Sequence, residues 1–332
     1  MYISMFATNP PFLLDQLASA TEMQRLSDIG MHCGCEYTSC PIYKQARFPY
    51  SRLMHSLGVS RIIWHFTNDI RQAVAGLLHD IATPVFAHTI DFMNNDHMRQ
   101  ESTEEKTVAF IRGSKVITAL LGKHGISIED VCDYHKYPIA DNDMPMLSAD
   151  RLEYTLGNGY ILYKIKPGQI LDIYSDLFIA TNEQGDPELC FRSIDKAESF
   201  FEIAMRNSRL YVSDEDRFSM QFLAETVRAA IDSGILAPGD LHTAESKVIG
   251  KLKENGASFE PWNKYSRISA VSVSGEELPG RRCLKVFAKK RYIDPLVAAG
   301  DGVARLSDAN AVVKGEIESF LHLDFNKWLY AV

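Results

Sequence analysis

The 332-residue chain has no excess of positive charge: 35 Lys and Arg stand against 43 Asp and Glu, giving a formal net charge of −8. A surface that binds polyanions needs a basic face, so a nucleic-acid partner is disfavoured, and any bound phosphate is small and held by a few local arginines. The chain also lacks an apolar run approaching the roughly 18 residues that would cross a bilayer. Its start, "MYISMFATNPPFLLDQ", has no basic segment leading into a long apolar one. A cytoplasmic protein with no membrane partner is expected. Of the 6 cysteines, the only cluster is "MHCGCEYTSC", with His32, Cys33, Cys35 and Cys40. C-x-C with four residues before the next Cys is not a zinc-site spacing, and no second Cys/His pair closes a site at the usual distance. Reduced, partly buried thiols are expected, as suits a reducing compartment. There is no internal repeat and no low-complexity tract.

With 46% apolar residues, the chain can bury a sizeable core. "PFLLDQLASATEMQRLSDIG" spaces Phe12, Leu13, Leu17, Met23, Leu26 and Ile29 as two short helices stopped by Gly30. A helix is predicted from near Ser51 through "RLMHSLGVSRIIWHFT". A second, apolar almost all round, is predicted over Gln72–Asp80, as befits the centre of an α domain. Helical patterns continue through "STEEKTVAFIRG", "KVITALLGKHG", "SIEDVCDYH", "SADRLEYTLGNG", 194–209 and 216–233, so everything to about residue 255 reads as helical. After "ENGASFEPWNKYSR" the alternation in "RISAVSVSG" and "RCLKVFAKKRYIDPLV" predicts a β-hairpin, and "VVKGEIESFLHLDFNKWLYA" predicts a closing helix. The expected fold is mainly α: a helical domain over 1–255 and a small α+β subdomain over 256–332.

The residues that carry chemistry are His55, the adjacent pair His79 and Asp80, and Asp150, each on or at the end of a predicted apolar helix. Imidazoles with carboxylates suit Mn²⁺, Fe, Co²⁺, Ni²⁺ or Zn²⁺, and Mg²⁺ less well. A buried Asp is costly unless paired or metal-bound, which makes "GLLHD" informative. On the residues alone, a helix-capping His-Asp pair competes evenly with a metal site.

"SRLMHSLGV", then "GLLHD" with His88 nine residues beyond His79, then "SADRLEY", together resemble the HD-domain phosphohydrolase superfamily in order, spacing and neighbours. The nearest likeness is to its deoxynucleoside-triphosphate triphosphohydrolase branch, over roughly residues 10–215. The resemblance implies an HD-type helical core and one divalent transition metal held by His55, His79, Asp80 and Asp150, with Mg²⁺ on the substrate phosphates. It puts Arg52, His88 and Arg151 on phosphate, Tyr154 beside the sugar, Asp28 near the nucleoside and Arg206 as a further phosphate ligand. It also implies a homo-oligomer, a dimer or larger.

The departure lies at Thr83, where the family's H-D-x-x-H pattern has a general-acid histidine. The family's H-E pair falls on Gln100-Glu101, leaving Glu101, His88 or His97 to supply a proton; threonine is a poor general acid. Three functions follow as alternatives: hydrolysis of a (deoxy)nucleoside triphosphate, hydrolysis of a monophosphate or other phosphomonoester, or a catalytically weak nucleotide sensor. An active hydrolase is preferred, because the substrate-side residues accompany a complete ligand set. A two-metal site would need His124 and His135, both read as surface residues. Lys289-Lys290-Arg291 is read as a solvated strand edge rather than a phosphate site.

Overall fold

The computed structural model describes residues 3–6, 9–94 and 106–332. The chain is mainly α, 56% helical, with only small sheets. Its centre is a pair of helices, Arg52–Thr67 and Ile70–Leu78, joined by Asn68 and Asp69. Ser51 caps the first helix by accepting from the Met54 N–H, and Asp69 caps the second by accepting from the Arg71 and Gln72 N–H groups. Asn68 takes the left-handed conformation (φ 50°) that ends the first helix, so the second folds straight back on it. Val59, Ile62, Ile63, Ala73, Val74 and Leu77 meet between them with no exposed surface.

A third helix, Ala149–Ile161, crosses the first and buries Leu152, Glu153 and Leu156. The crossing is close because position 58 is glycine: a Cβ there would lie 2.5 Å from Glu153 Cγ and Oε1. The long helices Ile194–Tyr211 and Asp214–Asp232 complete the wall around this centre, at the positions their periodicity predicts. Among the described residues, no helix is long and apolar enough to cross a membrane.

The strands depart from expectation. Strands β1 (Leu177–Thr181) and β2 (Pro187–Phe191) form an antiparallel hairpin inside the region expected to be wholly helical. Their short alternation is weak on its own. It is stabilised by a distant partner, since β2 pairs in parallel with a strand some hundred residues later (Cys190 opposite Leu296). The predicted C-terminal hairpin does not form either. Strand β3 (Val271–Ser274) pairs with the end of the chain, β6 (Trp328–Ala331), while β4 (Leu296–Ala299) and β5 (Gly302–Arg305) extend the first sheet in the order β1-β2-β4-β5. The closing helix accordingly spans only Ala311–Leu321, and "WLYA" is β6. "ASFEPWNKYS" lies within a helix, Gly256–Ser266, despite Pro261.

Contacts cross residue 255 freely: besides the β2–β4 pairing, the fully buried Tyr265 donates its hydroxyl to the Gly34 carbonyl at 2.7 Å. The segment after Cys283 has a single bridge, Leu284 to Leu329, so Lys289–Arg291 is no strand edge. It is an extended strap, pinned by the Lys290 ammonium on the Leu321 and Leu323 carbonyls at 2.5 and 2.6 Å.

The helix crossing at position 58 yields a stability prediction. In G58A, Glu153 or the crossing has to shift, so we expect overpacking destabilisation of about 1–3 kcal/mol. A thermal unfolding midpoint equal to that of the unmodified protein would show that the crossing is not so constrained.

Candidate metal centre

The Ile70–Leu78 helix ends at a tight turn that carries His79 and Asp80. Arg25 clamps this turn by donating through Nη2 to the carbonyls of Ile81 (2.9 Å) and Thr83 (2.8 Å). His55 lies one turn into the facing helix and Asp150 in the first turn of the crossing helix, so three elements converge. Nitrogen and oxygen atoms of His55, His79 and Asp80 all fall within 4.8 Å of one another. Asp150 Oδ1 completes the group at 2.8 Å from His55 Nε2 and 3.7 Å from His79 Nε2. Ligand atoms about 2.1 Å from one ion lie roughly 3.0–3.4 Å apart, so a group spread over up to 4.8 Å would draw in around one divalent ion, with Asp150 beside it.

The imidazoles are oriented from behind. His79 Nδ1–H donates to the Gly76 carbonyl at 2.7 Å, turning Nε2 toward the cluster. His55 Nδ1 bonds the fully buried Glu153 carboxylate at 2.5 Å, and the Tyr50 hydroxyl donates to the same oxygen. A carboxylate behind a ligating histidine fixes its tautomer and raises its basicity. Burial opposes charge on His55, but Asp150 and Glu153 outweigh it and push its pKa up to about 10. Burial also works against charge on Asp80, yet Arg52, His79 and His55 hold that carboxyl well below its ordinary range. Asp150 is lowered to about 2: burial is overcome by the bond from His55 and the nearby imidazoles.

Arg52, only 8% exposed, donates through Nη1 to Asp80 Oδ2 at 3.0 Å and Oδ1 at 3.3 Å. Its Nε is buried and has no partner among the described residues. Thr83 donates its hydroxyl to Asp80 Oδ1 at 2.7 Å and is buried, so it holds the Asp80 carboxylate in place. His88 follows Phe86 and Ala87, both in the left-handed region at φ 63° and 41°. This strained turn is tied down where the Phe86 N–H donates to the buried Glu245 carboxyl at 3.0 Å. His88 Nδ1 bonds Asp91 Oδ2 at 2.8 Å, and the ring lines the cavity in front of the cluster.

That cavity holds about 170 Å³. At roughly 30 Å³ per water, its share in the liquid, this is room for about half a dozen waters. Arg52, His55, His88, Asp150 and Tyr154 line it, as do two residues read from the sequence as a strand edge, Lys289 and Arg291. Other residues singled out from the sequence stand elsewhere. Arg151 is turned onto Asn142 Oδ1 (2.5 Å), the Met146 carbonyl (3.2 Å) and Asp141 (3.4 Å). The exposed Arg206 lies 3.8 Å over the Tyr163 ring. Asp28 accepts from Ser246 Oγ at 2.5 Å, at the edge of a separate cavity. His135 reaches Asp141 at 3.3 Å, and His124 ends an exposed helix. Glu101, with Gln100 and His97, lies outside the described residues.

Glu153 and Asp91 were missed. Both stand three residues after a site histidine or aspartate, the helical offset that could have flagged them. The cysteines are free, with Cys33, Cys35 and Cys40 buried, and burial pushes the Cys33 thiol up to about 12.

The chain matches no protein-family model. It is 24% identical over 243 residues to the uncharacterized protein YdhJ of Bacillus subtilis, covering 73% of this chain and 71% of that protein. It is 26% identical over 248 residues to a protein of Cordyceps militaris named metal-dependent phosphohydrolase cns2, covering 74% of this chain and 63%, under two thirds, of the fungal one. The crystal structure of a hypothetical protein from Aquifex aeolicus shares the fold, with a TM-score of 0.65 at 17% identity over 96% of this chain and 92% of that one.

Two substitutions test the support behind the ligands. E153Q removes the carboxylate charge behind His55, and we expect Mn²⁺ affinity to fall about 10–100-fold by calorimetry with the fold retained. T83V deletes the bond to Asp80, whereas T83S keeps it. T83V is expected to bind Mn²⁺ several-fold more weakly than T83S, and equal affinities would show that Thr83 does not position Asp80.

Proposed function

We propose that the protein is a metal-dependent phosphohydrolase that acts on a nucleotide, foremost a (deoxy)nucleoside triphosphate. The observation that carries this reading is one cavity lined by His55 and Asp150 of the metal cluster, by Arg52 and His88, and by Lys289 and Arg291. The relative named metal-dependent phosphohydrolase supports the reaction class, and its likeness to this chain agrees with an HD-type superfamily. A divalent ion on His55, His79, Asp80 and Asp150, of the Mn, Fe, Co, Ni or Zn type, would lower the pKa of a water and offset charge on phosphorus.

The chain's own groups supply the rest. Arg52 keeps Asp80 ionised through Nη1, and its guanidinium lines the cavity where a non-bridging phosphate oxygen would be bound. Asp91 fixes the His88 ring, so that its other nitrogen bonds phosphate or gives a proton to the leaving oxygen. Arg291 takes the phosphate role that the resemblance gave to Arg151, whose guanidinium is engaged by Asn142 and Asp141. Because the Thr83 hydroxyl is committed to Asp80, hydrolysis of a monophosphate ester with direct phosphate release is the second reading.

The test incubates Mn²⁺-loaded protein with deoxynucleoside and nucleoside triphosphates and monophosphates, and separates the products. Tripolyphosphate is the expected product, phosphate alone supports the second reading, and binding without product favours a sensor. D80A should abolish turnover, and full activity in that variant would overturn the metal assignment. R291A should raise KM about tenfold with little change in kcat, as expected for lost binding common to ground and transition states.

A further inference from the structure

The cavity also has lining residues that the metal chemistry does not use: His32, Tyr43, Phe92, Asp216 and Met220. Asp216, 4% exposed, sits in the first turn of the Asp214–Asp232 helix. Its only side-chain partner among the described residues is the Tyr43 hydroxyl, which donates to Oδ1 and Oδ2 at 2.7 and 2.9 Å. Among the described residues, the charged neighbours that act on it are the acids Glu215 and Glu36, and no cation is among them. A buried carboxyl with no cation and spare acceptor capacity is costly unless a partner arrives. Burial, partly offset by the Tyr43 bond, pushes its pKa up to about 7, so the group is poised between acid and carboxylate.

His32 reinforces the pattern. Burial lowers its pKa to about 4, so the ring is neutral. Asn158 donates its amide to the Tyr211 hydroxyl at 2.8 Å, which turns its oxygen toward His32 Nε2 at 3.1 Å. His32 Nε2 therefore carries the hydrogen and Nδ1 is left as an acceptor. The cavity thus carries two acceptors, Asp216 and His32 Nδ1, among the side chains of Tyr43, Phe92 and Met220.

We propose that Asp216 is a specificity-determining residue that accepts hydrogen bonds from an amino group on a heterocyclic ring of the substrate, while the ring's phosphate end lies at the metal cluster. The inference rests on the cavity being the substrate site, as proposed above. Phe92 and Met220 would hold the ring by stacking and sulfur contact, and Asp216 would read its N–H edge.

Equilibrium binding, which needs no turnover, tests it. The probes are the 2′-deoxynucleoside triphosphates of adenine, guanine and cytosine, and that of unsubstituted purine, which has ring nitrogens but no amino group. At least one amino-bearing probe should bind the unmodified protein tenfold or more tightly than the purine nucleotide. D216L should erase that preference and leave the affinity for the purine nucleotide within about threefold. Y43F removes the bond between Tyr43 and Asp216 but keeps the carboxyl, and should retain the preference. Equal binding of all probes, no binding of any, or a D216L loss shared equally by the purine nucleotide would overturn the proposal. Phosphate release without base preference would sink this inference and keep the hydrolase, whereas Asp216-dependent binding without product would do the reverse.

Discussion

Everything near the site depends on how two carboxylates stay ionised inside a helical core. Asp80 and Asp150 stand beside His55 and His79, with Asp80 and His55 almost wholly buried. Isolated charges in such a place would cost several kcal/mol each, and the chain meets that cost with opposite charge at hydrogen-bond distance. Arg52 answers Asp80, and a strongly basic His55 answers both Asp150 and Glu153. The surplus of carboxylate over permanent positive charge suits a divalent cation. Glu153 behind His55, the Gly76 carbonyl behind His79 and Thr83 behind Asp80 leave these three side chains little freedom. The side chains are held in place, while an ion on His55 Nε2 would have to displace the proton that the raised pKa keeps there.

The same demand shapes the backbone. Glu153 reaches His55 because residue 58 has no side chain, and the two central helices close on each other because residue 76 has none. The strained turn at Phe86 and Ala87 places His88 in front of the cluster, and its cost is borne by Glu245, donated from a helix more than 150 residues away in sequence. Strain of about 1–3 kcal/mol per residue persists only where surrounding contacts over-determine the backbone. Both a distant helix and Arg25 supply such contacts here.

What could be read from the sequence follows from the range of the interactions involved. The helices around His55, His79 and Asp150 are encoded locally, by apolar spacing and by caps such as Ser51, Asp69 and Ser148, and so is the proximity of His79 to Asp80. The hairpin at 177–191 and the pairing of β3 with β6 depend on partners far along the chain, and no local periodicity records them. The side chains beyond the ligands divide in the same way. Thr83 sits three residues from Asp80, but its hydrogen bond to Asp80 depends on how the turn after the helix folds. Arg151 lies beside Asp150 in sequence but turns to Asn142 and Asp141, while Arg291 is 141 residues from Asp150 and lines the same cavity.

That last contrast bears on how the two ends of the chain cooperate. The strap carrying Lys289 and Arg291 has almost no sheet pairing of its own, and it is held by Lys290 on the carbonyls that follow the Ala311–Leu321 helix and by Arg217 on the Val286 carbonyl. Arg217 belongs to the helix that also carries Asp216. One helix therefore anchors the strap that brings positive charge to the cavity and carries the Asp216 carboxyl that lines it. The spacing between Arg291 and Asp216 then depends on that helix, so it is fixed from within the fold and not by the strap alone.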